Sequence, residues 1–251
     1  RTIKICVLVM GYKIAIPTYK RYDIFRKKTY KLLDKYGLLD KAILFIQNDE
    51  DAELYKEFGI KIVRGPSGYK NICNKITDYF PKGQHYVLMA DDIGRVVKSV
   101  DSKKISVVGN LDKLFNLTFS TMVKEGASLG GYYPTPNPLW LSKAQPITTD
   151  LRFIYDPLCC IINNKIKVVL DGLNDFERTL EHYKKTGVIV RLNKYSFTSP
   201  YNPGGSGGCG DRDKKKLDME RDNFLNKYSK YISRVISHKG GSSSFVFKKK
   251  V

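Results

Sequence analysis

The chain has 251 residues, of which 42% are hydrophobic, 12% aromatic and 27% charged, a composition that excludes a disordered or fibrous protein and suits one globular domain with a sizeable core. Its 44 Lys and Arg against 25 Asp and Glu leave a formal charge of +19. That excess favours a polyanionic partner such as nucleic acid, a sugar nucleotide or an anionic membrane surface, although a lysine-rich solvated surface reads the same way. Five cysteines with no C-x-x-C pair argue against zinc ligation and against a disulfide framework, and point to a reducing, cytoplasmic compartment.

In chain order, Ile3 to Met10 is too short to span a bilayer, and Gly11-Tyr12-Lys13 offers no small-residue cleavage site. No membrane span or signal peptide is therefore expected. Met10 reads as the start, and residues 1–12 as an N-terminal extension. Lys13 to Pro17 reads as a first strand, followed by a helix that places Tyr22, Phe25, Leu32, Leu33 and Tyr36 on one face and ends at Gly37. Ala42 to Ile46 is a second strand closed by Gln47-Asn48-Asp49. A helix over Ala52 to Phe58, a strand at Lys61 to Val63, a turn at Gly65-Pro66-Ser67-Gly68 and a helix from Tyr69 to Tyr79 follow. After the break at Pro81-Lys82-Gly83, a strand from Tyr86 to Ala90 delivers Asp91 and Asp92. This alternation predicts a single α/β domain: a Rossmann-like, mostly parallel central sheet with helices on both faces.

The second half changes character. Leu111 to Glu125 reads as a helix, an irregular stretch begins at Gly130-Gly131, and Pro134, Pro136 and Pro138 predict loop as far as Gln145. Strands are expected at Leu158 to Ile162, Lys165 to Leu170 and Val188 to Leu192, with a helix from Asp175 to Lys185. Pro203 to Gly210, five of whose eight residues are glycine, has the freedom of a lid. A last helix from Arg212 to Tyr231 ends a domain over 13–232, before a basic tail over 233–251.

Apolar strands that end in polar groups are how an α/β enzyme presents ligands at the carboxyl edge of its sheet. Two segments fit: Ile14-Ala15-Ile16-Pro17-Thr18-Tyr19-Lys20-Arg21 and Val87-Leu88-Met89-Ala90-Asp91-Asp92. Adjacent carboxylates there suit Mg²⁺ or Mn²⁺ shared with a diphosphate, or are simply turn aspartates. At Asn174-Asp175-Phe176-Glu177-Arg178 a carboxylate either caps the helix or acts as a general base toward an acceptor hydroxyl. His238 is a surface residue or a completing metal ligand. Two basic segments, residues 20–31 and residues 211–251 with 12 basic and 5 acidic side chains, suit a phosphate backbone or a solvated face.

The residues Ile16-Pro17-Thr18-Tyr19-Lys20-Arg21, Asp91-Asp92 and Asn174-Asp175-Phe176-Glu177-Arg178-Thr179 occur in the order and spacing of GT-A glycosyltransferases. More narrowly, the chain resembles the viral and phage TET/JBP-associated glycosyltransferases. Further matching pieces are Gly65-Pro66 with Asn71, Asp78 to Gly83, Tyr133 to Pro138, Thr148 to Leu151 and Pro203-Gly204-Gly205. The resemblance implies a UDP-sugar donor, Mn²⁺ or Mg²⁺, and transfer to a hydroxyl, with hydroxymethylated pyrimidines of DNA as the acceptors of the narrower group. It implies that Pro17, Thr18 and Tyr19 line the nucleotide pocket, that Asn48 or Asp49 meets the base and that Asn71 lies near the donor. It further implies that Asp150 contacts a sugar and that Asp175, with Glu177 in reserve, is the base of an inverting displacement. Ala90 stands where the family's acidic triplet commonly begins, which leaves Asp92 as the metal ligand and Asp91 as a ribose or metal contact. The same chemistry on a viral glycan or glycoprotein is the alternative, and a non-catalytic nucleic-acid-binding module with a degenerate sugar-nucleotide fold is the alternative of another class.

Overall fold

The computed structural model describes residues 11–199, 214–235 and 244–248. The lid expected over 203–210, His238 and most of the N-terminal extension lie outside them.

The strand β1 (Lys13–Thr18) leads through α1 (Tyr22–Phe25), a π-helical turn at Arg26–Tyr30 and α2 (Lys31–Lys35) to β2 (Ala42–Ile46). Next come α3 (Asp49–Tyr55), β3 (Lys61–Arg64), α4 (Tyr69–Tyr79) and β4 (His85–Met89). The chain then forms β5 (Arg95–Ser99), β6 (Ile105–Val107), α5 (Leu111–Glu125), β7 (Leu129–Tyr132), α6 (Pro138–Lys143), β8 (Ile147–Thr148) and β9 (Leu158–Ile162). It continues with α7 (Asn174–Thr186), β10 (Val190–Leu192) and β11 (Tyr195–Thr198), and after the undescribed segment with α8 (Lys214–Tyr228), β12 (Ile232–Val235) and β13 (Ser244–Phe247).

Eight strands form the main sheet in the order β3-β2-β1-β4-β9-β7-β10-β8. The ladders joining β3, β2, β1 and β4 are parallel, as is that between β7 and β10, while β9 runs antiparallel to both β4 and β7 and β8 antiparallel to β10. The sheet is thus mostly parallel, as expected. Period-two alternation divides its side chains between two cores. Ile14, Ile16, Leu44, Val87, Met89 and Cys160 pack with Phe25, Leu33, Phe115 and Phe119 on one face. Ala15, Phe45, Tyr86, Leu88 and Cys159 pack with Ile72 and Ile76 of α4 on the other. A third cluster joins α7 to α8 and the β12–β13 hairpin through Leu180, Phe224, Tyr228 and Phe245. Tyr12, read as part of the extension, is buried against Phe115 and Phe119, with its hydroxyl donating to Asp112 at 2.6 Å.

Three expectations are corrected. Gly130 and Gly131 do not begin an irregular stretch; they lie in β7, where a Cβ would come within 2.6 Å of Met122 Sδ at Gly130 and 2.7 Å of Ile154 Cγ2 at Gly131. Glycine is there for close approach, not for turning. The proline-rich segment holds the short helix α6, with Pro138 at its first turn and the Asn137 side chain accepting from the Leu139 N–H at 3.0 Å. Lys165 to Leu170 joins no ladder: Lys165 has φ +63°, and Val169 is exposed. A small antiparallel sheet in the order β11-β5-β6, not foreseen from sequence, stands beyond the end of β4.

Candidate active site at the carboxyl edge of the sheet

From β1 the chain moves outward to β2 and β3, while β4 lies on its other flank. The carboxyl ends of β1 and β4 therefore face the place where strand order reverses, the usual ligand crevice of an open α/β sheet. The β1–β4 ladder stops at Ala15↔Leu88, and Pro17 has no N–H with which to extend it.

Polar side chains converge beyond that point. Thr18 Oγ1 donates to Asp91 Oδ2 at 2.8 Å and lies 2.8 Å from the Tyr55 hydroxyl. Arg21 bridges the two aspartates, with Nη1 3.0 Å from Asp91 Oδ1 and Nη2 2.7 Å from Asp92 Oδ2. Ser199 Oγ donates to the remaining oxygen, Asp92 Oδ1, at 2.6 Å. The small sheet positions this serine: Thr198 pairs with Arg95 and its carbonyl accepts from the Gly94 N–H, so the end of β11 returns to the residues just after β4. Asp91 and Asp92 are 3% and 5% exposed, which makes a mere pair of solvated turn aspartates untenable. Burial pushes the Asp91 carboxyl up to about 6, against the opposing pull of Arg21 and Thr18.

A second cluster continues the same edge. Leu158 pairs with Met89, and the Ala90 N–H donates to the Pro157 carbonyl, so Asp156 stands beside the end of β4. Asp156 is buried, ion-paired with Arg178 Nη1 at 2.8 Å, and accepts from Asn174 Nδ2 at 2.5 Å. Asp175, in the first turn of α7, is only partly exposed, and its Oδ1 accepts from the Phe176 N–H at 2.8 Å. Burial first, and the negative charge of Asp156 second, push its carboxyl up to about 7. A carboxylate with that proton affinity suits general-base work near neutral pH.

The other expected residues are more dispersed. Glu177, 1% exposed, accepts from the Val169 and Leu170 N–H groups at 2.7 and 2.9 Å, and from Lys227 and Tyr228 at 3.2 and 3.3 Å. Its carboxylate ties the 165–173 segment to α8. Asn48 caps α3, accepting from the Asp51 N–H at 2.6 Å, and exposed Asp49 pairs with Arg64. Tyr19, the residue after β1, is half-buried with the Lys20 ammonium 5.3 Å from its ring centroid; Asn71 donates to the Ser67 carbonyl at 2.8 Å. Asp150 is exposed and ion-paired with Arg152 at 2.8 Å, just beyond β8 at the opposite margin of the sheet from β3. Ser199, Asp156 and the inward turn of Arg21 escaped the sequence reading, since strand pairing over long separations sets them. Asp51 escaped it too. Its Oδ2 accepts from the Lys20 N–H at 2.7 Å and so steadies a residue with φ +52°.

Among the described residues no group of three or more His, Cys, Asp and Glu side chains is placed to hold a metal by itself. The acidic pair fits a different arrangement, in which a hard dication takes one or two protein carboxylates and completes its shell with phosphate oxygens and water. No described helix is long and apolar enough to cross a membrane.

No protein-family model matches the sequence, and no curated protein matches it. Solved structures do resemble it. Mycobacterium tuberculosis glucosyl-3-phosphoglycerate synthase in complex with phosphoglyceric acid aligns with a TM-score of 0.52 at 11% identity, covering 89% of this chain and 83% of that one. A structure of that synthase with Mg²⁺ and uridine diphosphate gives 0.51 at 11% identity over 95% and 87%. Residues 1–349 of S. aureus TarS give 0.50 at 12% identity over 75% of this chain, which spans 59% of that one. What the chain shares with these proteins is their architecture, the GT-A type fold of glycosyltransferases.

Proposed function

We propose that this protein is a glycosyltransferase that moves a hexose, glucose in the first instance, from a UDP-sugar to a hydroxyl group. The observation that carries the reading is the buried Asp91–Asp92 pair at the strand-order reversal of a GT-A type sheet, with Thr18 and Arg21 directed at it. Crystal structures of the synthase of the same fold contain Mg²⁺ or Mn²⁺ with UDP. In this chain Asp92 and Asp91 would hold the dication, which when bound supplies neutralising charge to the departing diphosphate.

The protein's own groups do the rest. The crevice beyond Pro17, Thr18 and Tyr19 takes the nucleotide, with the α3 amino-terminal region, including Asn48 and Asp49, on the side of the base. Asp175 accepts the proton of the acceptor hydroxyl as its oxygen attacks the anomeric carbon, and Asp156 and Arg178 fix the helix end that presents it. The displacement inverts configuration at that carbon.

The acceptor we favour is a hydroxymethylated pyrimidine in DNA. The support is electrostatic: a charge of +19 exceeds what one compact donor engages, whereas a phosphate backbone uses many cations. Release of UDP from UDP-[¹⁴C]glucose with Mn²⁺, with and without DNA containing 5-hydroxymethylcytosine, tests both levels. Label transferred to that DNA is the expected result. Turnover only with a glycan or protein acceptor refutes the DNA assignment, and absence of donor turnover with every acceptor refutes the activity.

A further inference from the structure

The four carboxylate oxygens of Asp91 and Asp92 are all engaged by protein donors: two by Arg21, one by Thr18 and one by Ser199. Thr18 and Ser199 are neutral and fix orientation. Among the described donors Arg21 alone carries charge, and its fork meets one oxygen of each aspartate, so the protein itself places a cation on the pair. Its side chain is 16% exposed, at the solvent side of a pair exposed 4% and 8%, and it lies in the short connection between β1 and α1.

We propose that Arg21 is an exchangeable internal counter-ion, which holds the acidic pair before the donor arrives and gives up the carboxylates when a dication enters. This inference rests on the donor-site reading above. Two buried carboxylates without a cation are costly to keep ionised, and Arg21 relieves that cost while lowering the pull of the site on a free dication. A diphosphate changes the balance, because it supplies ligands for the dication and a bidentate anionic partner for the released guanidinium. Dication and nucleotide therefore bind with positive coupling, and Arg21 carries that coupling.

The test is Mn²⁺ binding, read from the electron paramagnetic resonance of the free ion, for the wild-type chain, Arg21→Gln and Arg21→Lys, with and without UDP. Without UDP, Arg21→Gln binds Mn²⁺ at least tenfold more tightly than wild type. Arg21→Lys, which keeps the charge but loses the fork, falls between them and serves if the glutamine variant fails to fold. UDP tightens Mn²⁺ binding at least tenfold in wild type and less than threefold in Arg21→Gln. Equal Mn²⁺ affinity of wild type and both variants without UDP, together with UDP-promoted binding in all, overturns the exchange but leaves the donor site standing. No Mn²⁺ binding by any of them, with or without UDP, overturns both.

Discussion

Asp175 and Glu177 occupy the first turn of the same helix, and their surroundings assign them opposite consequences when the charge is removed. Glu177 Oε2 accepts two backbone N–H groups, while Oε1 meets Lys227 and Tyr228. Glu177→Ala removes the acceptor of both amides; at about 1–3 kcal/mol for a buried unsatisfied donor, and less for the amide of exposed Val169, which water can reach, the loss is roughly 1–4 kcal/mol. Glu177→Gln keeps an oxygen for the amides but turns an NH₂ toward the Lys227 ammonium. The loss of that charge-assisted bond costs about 1.5–3 kcal/mol, toward the lower end because Lys227 is exposed. Asp175→Asn leaves an oxygen to accept from Phe176 and removes a carboxylate whose ionisation burial opposes, so stability at neutral pH is kept or rises. Its rate of transfer falls at least a hundredfold, within the usual range for loss of a general base. Urea unfolding and single-turnover transfer, measured on all three variants, separate the two roles. A severe rate loss in folded Glu177→Gln with little loss in Asp175→Asn refutes the assignment.

The pH dependence of the wild-type rate has a defined sign. Asp175 must be ionised to accept a proton, and with its carboxyl near 7 the rate rises with pH through about 7 and falls away below it; in Asp175→Asn this limb disappears from the pH–rate profile. Asp92→Asn, which keeps the shape but removes one charge from the acidic pair, lowers donor turnover by two orders of magnitude or more at fixed Mn²⁺, read as UDP release. Gly131→Ala places a methyl group 2.7 Å from Ile154 Cγ2 and destabilises the fold by about 1–3 kcal/mol in urea unfolding. Replacement of Lys214, Lys215 and Lys216 by Gln weakens DNA binding and flattens the slope of log K against log salt by about 2–3, at roughly 0.9 for each phosphate no longer neutralised, with UDP affinity within twofold.

The fold is legible where one local signal dominates. Ala42–Ile46 and Leu158–Ile162 are uninterrupted apolar runs. Leu111–Glu125 has a helical apolar face between an Asn110 cap and a left-handed Gly126, and its limits are legible to the residue. Local signals fail where distant partners decide. Gly130-Gly131 carries the marks of a turn, yet Met122 and Ile154 require bare backbone inside a strand. Lys165–Leu170 carries the composition of a strand, yet the segment is held from outside by Asn74, which bonds both ways with Val168, and by Glu177. The same division runs through the site. Asp91 and Asp92 follow an apolar strand and announce themselves, and Asp175 opens a recognisable helix. Ser199 reaches Asp92 across 107 positions, and Asp156 stands beside the end of β4 because β9 returns along that strand.

A crystal structure of the chain with UDP and Mn²⁺, using the anomalous signal of manganese, decides whether the carboxyl edge between β1 and β4 takes a nucleotide-sugar donor. The expected result is one manganese peak beside Asp91 and Asp92 and next to the diphosphate, with Arg21 turned from the carboxylates toward the phosphates and the uracil on the α3 side of Thr18. Manganese and UDP bound elsewhere, with Arg21 still joined to both aspartates, would contradict it.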